Sequence, residues 1–236
     1  MSIGGRGGSG VGGGRRAARQ RVKSAGQRSA SSQRWLERQL NDPYVAAAKR
    51  EGYRSRAAFK LIEIDAKYRL FGAGKRVVDL GAAPGGWAQV AAARVKSVEG
   101  KGQVVAVDVL EMDEIAGVEF VRLDFMDPAA PGRVKGMLRG GRADIVLSDM
   151  APQSTGHART DHLRIMGLAE VAAEFAADVL EPGGALLCKV FQGGTERALL
   201  DRLKRGFATV RHVKPPASRA ESSEMYVVAL GFRMPD

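Results

Sequence analysis

From Arg76 onward, short apolar runs of strand length alternate with longer stretches whose apolar residues recur at helical spacing. The runs predict strands over Arg76–Leu80, Gln103–Val109, Val118–Leu123, Asp144–Ser148 and Ala185–Val190. The intervening pattern predicts helices over Trp87–Ser97, His162–Leu180 and Thr195–Lys204, with Pro182-Gly183-Gly184 as a turn. Two last strands, Thr209–Val213 and Tyr226–Phe232, have only a loop between them and are expected to pair antiparallel. The pattern predicts a doubly wound, mostly parallel α/β sheet of seven strands, with helices on both faces and the last strand antiparallel.

Upstream, Asp42-Pro43 has the form of a helix start, an N-cap followed by a proline in the first turn. That helix, Tyr44–Arg50, ends near Gly52. Ser55 is placed to cap a second one, Arg56 to Tyr68, in which Ala58, Leu61, Ile62, Ile64 and Tyr68 fall at helical spacing. Residues 1–32 are Gly, Ser, Arg and Ala with almost no large apolar side chains. Such a segment buries too little surface to offset its ordering entropy. The expected organisation is therefore a disordered basic tail over 1–40 and one domain over 41–236.

Composition narrows the class. The 236 residues are 44% hydrophobic, enough for one domain with a substantial core. No run of 18 apolar residues exists, so no membrane span is expected. Cys188 is the only cysteine and lies in an apolar run, where it reads as a buried structural thiol in a reducing compartment. The net charge of +11 is concentrated at one end: residues 1–40 hold nine Lys/Arg and one acid. That asymmetry points to a polyanionic partner such as nucleic acid. The tail itself has three readings: a solubilising segment, a non-specific RNA attractor, or an organellar transit peptide. His157, His162 and His212 show no metal-ligand spacing, so no metal site is expected.

The stretch Val77 to Trp87 reads as a buried strand, a glycine-rich turn and a helix start. This is the arrangement of a nucleotide-type site at the carboxyl end of a parallel strand. Gly81, Gly85 and Gly86 permit a sharp turn and close ligand approach. The turn lacks G-x-G-x-x-G, which disfavours a dinucleotide and a nicotinamide oxidoreductase and favours an adenosine compound without a pyrophosphate. The first four strands each carry an acid near the carboxyl end: Asp79, Asp108, Asp124 and Asp149. Lys189 sits in an otherwise apolar strand, where lysine is rare unless paired or functional.

Five motifs stand together in order: Ser55-Arg56-Ala57-Ala58-Phe59-Lys60-Leu61, Asp79-Leu80-Gly81-Ala82-Ala83-Pro84-Gly85-Gly86-Trp87, Ser148-Asp149-Met150-Ala151-Pro152, Lys189-Val190-Phe191-Gln192-Gly193 and Ser218 to Tyr226. From about Asp42 to Phe232 the chain resembles the FtsJ-like (RlmE) ribosomal RNA 2′-O-ribose methyltransferases. The resemblance implies a Rossmann-like methyltransferase fold and S-adenosylmethionine as cofactor, with S-adenosylhomocysteine as product. It implies a catalytic tetrad of Lys60, Asp149, Lys189 and Glu224. By the same resemblance Gly85 and Trp87 contact the methionine side of the cofactor, Asp108 its ribose, Asp124 its adenine, and Asp149 the methyl-bearing end. Gly81 and Asp79 are expected to belong to the same cofactor site.

Two departures stand out. Leu123 precedes Asp124 where the family often has glycine, and Gln153 replaces a common asparagine. The absence of an Asn/Asp-Pro-Pro-aromatic motif after the fourth strand argues against methylation of a base amine. The implied reaction is 2′-O-methylation of a uridine in 23S large-subunit ribosomal RNA, with Lys189 as general base. Its alternatives are the same reaction on transfer RNA or another RNA, and a catalytically inactive RNA-binding assembly factor. Arg54, Arg56, Lys60 and Arg219 are the expected RNA contacts, the first three from a helical RNA-binding segment over 42–70. A monomer in the bacterial cytoplasm, acting on the large ribosomal subunit, is expected; a transit-peptide tail would place it in mitochondria instead.

Overall fold

The structure, a computed structural model, describes residues 36–37, 39–152, 155–191 and 197–234. The expected tail falls outside these residues over 1–35 and at 38. Gln153, Gln192, Gly193 and the expected helix start at Thr195 lie outside them as well.

The strands are β1 Arg76–Leu80, β2 Gln103–Asp108, β3 Glu119–Arg122, β4 Ala143–Ser148, β5 Leu180–Phe191, β6 Phe207–Val213 and β7 Glu224–Phe232. They form one sheet in the order β3-β2-β1-β4-β5-β7-β6. Strands β1 to β5 pair in parallel. Strand β7 runs antiparallel to both β5 and β6. The expected hairpin is thus present, and its second strand is inserted between β5 and β6. Strand order reverses between β1 and β4, where open α/β sheets bind their ligands.

The helices are α1 Pro43–Glu51, α2 Ala57–Tyr68, α3 Gly86–Val95, α4 Ala130–Met137, α5 Ala158–Val179 and α6 Arg197–Gly206. Strands covered on both faces are mainly apolar, and in β2 Val104 to Val107 are all buried. Side-chain alternation then sorts the core into two layers. Val78, Leu80, Val146, Leu186 and Cys188 pack with α4, α5 and α6. Val77, Ile145, Leu147, Leu187 and Tyr226 pack with α2 and α3 on the opposite face.

Local differences from expectation have identifiable causes. Helix α4 was not anticipated, because its sequence holds a proline and two glycines. It forms because Ala130 and Val134 bury completely against the sheet, and tertiary packing overrides weak propensity. The proline sits in the first turn, where its missing N–H costs nothing. Asp42 caps α1 as expected, accepting from the Tyr44 N–H at 3.0 Å. Ser55 does not cap α2: Arg56 holds the N-cap position, already in helical conformation. The buried Ser55 hydroxyl faces the bare Cα of Gly86 instead. Pro182-Gly183-Gly184 is not a turn before β5 but a bulge inside it. The register steps there from Ala143 opposite Leu180 to Ile145 opposite Ala185. Helix α5 starts earlier than expected because Asp161 in its first turn accepts from the Thr155 N–H and hydroxyl at 2.8 and 2.6 Å.

Leu61 is fully buried on α2 and fastens the amino-terminal arm to the sheet. Leu61→Ala is expected to cost about 2–5 kcal/mol, by the usual price of a buried cavity, and is checked by the denaturant midpoint. A loss under about 1 kcal/mol, below that range, would mean the arm packs loosely.

Candidate active site

Gly81 opens the turn that follows β1, at φ +79°. A Cβ there would stand 2.7 Å from the Met150 nitrogen and 2.8 Å from its Cα, so only glycine fits. The Gly81 and Ala82 N–H groups both donate to Val107 O, at 2.8 and 3.1 Å. Beside this turn lies a cavity of about 630 Å³, within the size range of small-molecule sites. Of the expected cofactor residues, Gly81, Asp108, Asp124 and Asp149 line it. Sequence reasoning missed Met150, Pro152, Arg164, Gly167 and Leu168, the last three from α5. Helix periodicity alone does not tell which turn of α5 overhangs the strand ends. Asp108 also braces the turn: its Oδ2 accepts from the Ala83 N–H at 2.8 Å and its Oδ1 from Leu110 at 2.9 Å.

Three expected cofactor residues do not line this cavity. Asp79 lies inside β1, fully buried, and neither carboxyl oxygen has a hydrogen-bond partner among the described residues. Burial, with Asp149 and Asp108 nearby, pushes its pKa well above the usual carboxylate range. Gly85 is overlaid by Arg54, Met112 and Ile115. Trp87 is 2% exposed, its indole N–H donating to Ala57 O at 2.8 Å and its ring 5.6 Å from that of Tyr226.

The tetrad residues meet on the sheet face that α2 covers. Lys189 and Tyr226 are direct register partners on β5 and β7, and Phe191 pairs with Glu224. Two-residue periodicity therefore puts Lys189, Tyr226 and Glu224 on one face. Asp149 follows β4 directly, its N–H bonded to Leu80 O at 3.0 Å. Lys60 comes from α2. Lys189 Nζ lies 2.7 Å from Asp149 Oδ1 and 3.7 Å from Glu224 Oε2, and Lys60 Nζ lies 2.6 Å from Glu224 Oε1. Tyr226, which sequence reasoning did not assign to the site, closes the network. Its hydroxyl donates to Asp149 Oδ1 at 2.8 Å and accepts from Lys60 at 3.2 Å. Ser218 donates to Glu224 Oε1 at 3.0 Å. The Ser-x-Glu-x-Tyr spacing around Glu224 was the available signal for Tyr226.

Burial, the largest single influence on Lys189, favours its neutral form, but Asp149 and Glu224 together outweigh it and raise the pKa above the usual lysine value. Lys189 is therefore an ammonium at neutral pH. Burial alone would raise Glu224, yet Lys60 and Lys189 hold it below the usual glutamate value. Burial, then Asp149 and Glu224, keep the Tyr226 phenol protonated, with a pKa well above 10.0. Cys188 is buried and its thiol is pushed up to about 12 by burial, so it stays protonated and packs as an apolar group.

A second cavity, of about 460 Å³, lies on the Lys60 side and is lined by Arg56, Lys60, Arg219 and Glu224 among others. Asp42 pairs with both Arg56 at 3.0 Å and Arg219 at 3.2 Å, two guanidinium groups against one carboxylate. Three cations, Arg56, Lys60 and Arg219, line the second cavity together with the carboxylates of Glu221 and Glu224. Arg54 is elsewhere: its guanidinium bonds backbone carbonyls beside the glycine turn and does not join the cation cluster.

Residues 53–232 match the FtsJ-like methyltransferase family. A protein of Bradyrhizobium diazoefficiens named Ribosomal RNA large subunit methyltransferase E is 67% identical over 212 residues, covering 90% of this chain and 92% of its own length. A protein of the same name from Azorhizobium caulinodans is 63% identical, over 90% of this chain and 88% of its own. Among solved structures, a ribosomal RNA methyltransferase from Plasmodium falciparum superposes with a TM-score of 0.68 at 32% identity, covering 76% of this chain and 98% of its own.

Asp79 generates a pH-dependent expectation. Its raised folded pKa means that stability is lost as pH rises from the unfolded value, about 3.8, through the folded one. Asp79→Asn abolishes that titration. The variant should gain stability over the parent at pH 7 and lose this advantage toward pH 3, measured by denaturant midpoints at the two values. An identical difference at both pH values would show that Asp79 carries no such titration.

Proposed function

The chain belongs to the FtsJ-like methyltransferase family, and on that premise we propose that it transfers a methyl group from S-adenosylmethionine to the 2′-hydroxyl of a uridine in large-subunit ribosomal RNA. The observation that carries this reading is the position of the ion network between two cavities. Asp149 lines the larger cavity, while Lys60 and Glu224 line the second. A donor on one side and a ribose on the other would meet at Lys189.

The larger cavity fits the donor by its own features. Gly81 lets the turn lie directly against the Met150 backbone on the cavity wall, and Asp108 and Asp124 offer acceptors for a sugar diol and an amino group. Asp79, Gly85 and Trp87 are proposed to support this site from beneath rather than at its lining. When bound, S-adenosylmethionine supplies a sulfonium methyl group open to in-line attack. The chain's contribution is alignment of the ribose oxygen, removal of its proton and stabilisation of the developing alkoxide. Lys60 is assigned to the alkoxide. Asp149 and Glu224 hold the two lysines in place, and Tyr226 and Ser218 hold the carboxylates.

Lys189 is assigned as the base. An unperturbed lysine is neutral only about once in a few thousand molecules at pH 7, and the carboxylates reduce that fraction here. Transfer through Lys189 should therefore accelerate with pH. RNA is proposed to lie along Arg56, Lys60 and Arg219, its phosphates facing these three cations. The bacterial relatives support a cytoplasmic ribosome-assembly role, with the basic residues of 1–40 adding non-specific RNA attraction.

The function is tested by incubating the protein with methyl-labelled S-adenosylmethionine and large ribosomal subunits, deproteinised ribosomal RNA or transfer RNA. Label is expected in large-subunit RNA, at one uridine that resists alkaline cleavage. Label in transfer RNA alone would overturn the substrate, and absence of transfer would overturn the activity. For the base, log kcat/KM should climb with unit slope through the neutral range, with no plateau below the ordinary lysine value of 10.5. A plateau near pH 7, or a Lys189→Ala variant with near-parental rate, would remove Lys189 from that role.

A further inference from the structure

Arg54 stands apart from the other cations of the amino-terminal arm. Its guanidinium donates to Asp113 O and Glu114 O at 2.6 Å each, and to Pro84 O at a longer 3.4 Å. Its backbone N–H donates to Gln89 Oε1 at 2.8 Å, and the Gln89 amide returns to Gly52 O at 3.0 Å. One residue thus joins the α1–α2 junction to the glycine turn, to α3 and to the loop between β2 and β3.

The bare Cα of Gly85 makes this possible. A Cβ there would lie 2.5 Å from Ile115 Cδ1, 2.9 Å from Met112 Sδ and 3.2 Å from Arg54 Cδ. Met112 and Ile115 pack down onto Ala82, Ala88 and Ala106. The β2–β3 loop starts with Val109 and Leu110, and the turn includes Gly81 and Ala83; all four line the larger cavity. Arg54 therefore fastens two walls of that cavity without lining it. A guanidinium whose N–H groups are directed at three carbonyls is poorly aimed at a phosphate. A lysine in its place could not span those carbonyls, because an ammonium is a single compact donor centre.

We propose that Arg54 is a positioning residue for the methyl donor, holding the glycine turn and the β2–β3 loop in the shape the donor cavity requires, and not an RNA contact. This rests on the larger cavity being the S-adenosylmethionine site. Full-length parent, Arg54→Ala and Arg54→Lys are compared by calorimetry with S-adenosylhomocysteine. Deproteinised large-subunit ribosomal RNA is titrated across a salt series, and amide exchange is followed in the donor-free proteins. Both variants should bind S-adenosylhomocysteine about tenfold more weakly, a typical yield for lost charge-assisted hydrogen bonds. Exchange over 109–117 should quicken, while RNA affinity and its salt slope stay at the parental value. Parental S-adenosylhomocysteine affinity in the variants, whether or not their Tm falls, would overturn the assignment. So would weaker RNA binding with a salt slope shallower by about 0.7, the mark of one lost phosphate contact on single-stranded RNA. A parent protein that binds no S-adenosylhomocysteine would overturn the donor reading itself, which the variants alone could not do.

Discussion

Two ammonium groups and two carboxylates share one largely water-excluded face of the sheet, and none of them is tolerable there alone. Lys60 is 7% exposed and Lys189 8%. A buried charge is retained only where it is paired and hydrogen-bonded, and removing one partner from such a pair commonly costs about 3–5 kcal/mol. The four groups come from α2, the end of β4, β5 and β7. Their mutual need for pairing therefore fixes how the helical arm, the parallel strands and the antiparallel insertion sit together. Tyr226 makes the set continuous, since its hydroxyl touches both the Asp149 and the Lys60 side.

The same pairing sets the chemical problem. Carboxylates that make a buried lysine acceptable also keep it protonated, which opposes its use as a base. The arrangement is more legible as a positioning device than as a proton sponge. It places one lysine at Asp149, which lines the larger cavity, and another at the second cavity, with hydrogen bonds fixing each side chain. Proximity and electrostatic stabilisation then contribute most of the proposed rate, and deprotonation becomes the pH-sensitive remainder. Arg54 and the Asp42 pairings extend the logic outward, holding loops and cations that border the two cavities.

The sheet was legible because parallel strands between helices are apolar on both faces, as Val104 to Val107 illustrate. The oddness of Lys189 was visible for the same reason: it is a charge in a run that burial demands be apolar. Of its partners, Asp149 showed as a strand-end acid, whereas Glu224, with its own partner Lys60 far upstream, was singled out only by resemblance to a family. Helix α4 was hidden by its glycines and proline, and formed through contacts that propensity does not encode. Arg54 read as an RNA contact because a basic run suggests phosphate. Its guanidinium bonds carbonyls 59 and 60 residues away, which carry no side-chain signature. Asp79 read as a strand-end acid in a strand of the same bounds, and its side chain is fully buried rather than at the cavity lining.

The central claim is that Lys60, Glu224, Asp149 and Lys189 act as one unit on the acceptor hydroxyl. A double-mutant cycle on Lys60 and Glu224, read as the single-turnover methylation rate with donor and RNA saturating, addresses it directly. Groups acting as a unit are strongly non-additive. Lys60→Met with Glu224→Gln together should slow the reaction about as much as the worse single change, a behaviour typical of such units. Rate losses that simply multiply would contradict the account, because they would mean that the two residues assist the reaction independently.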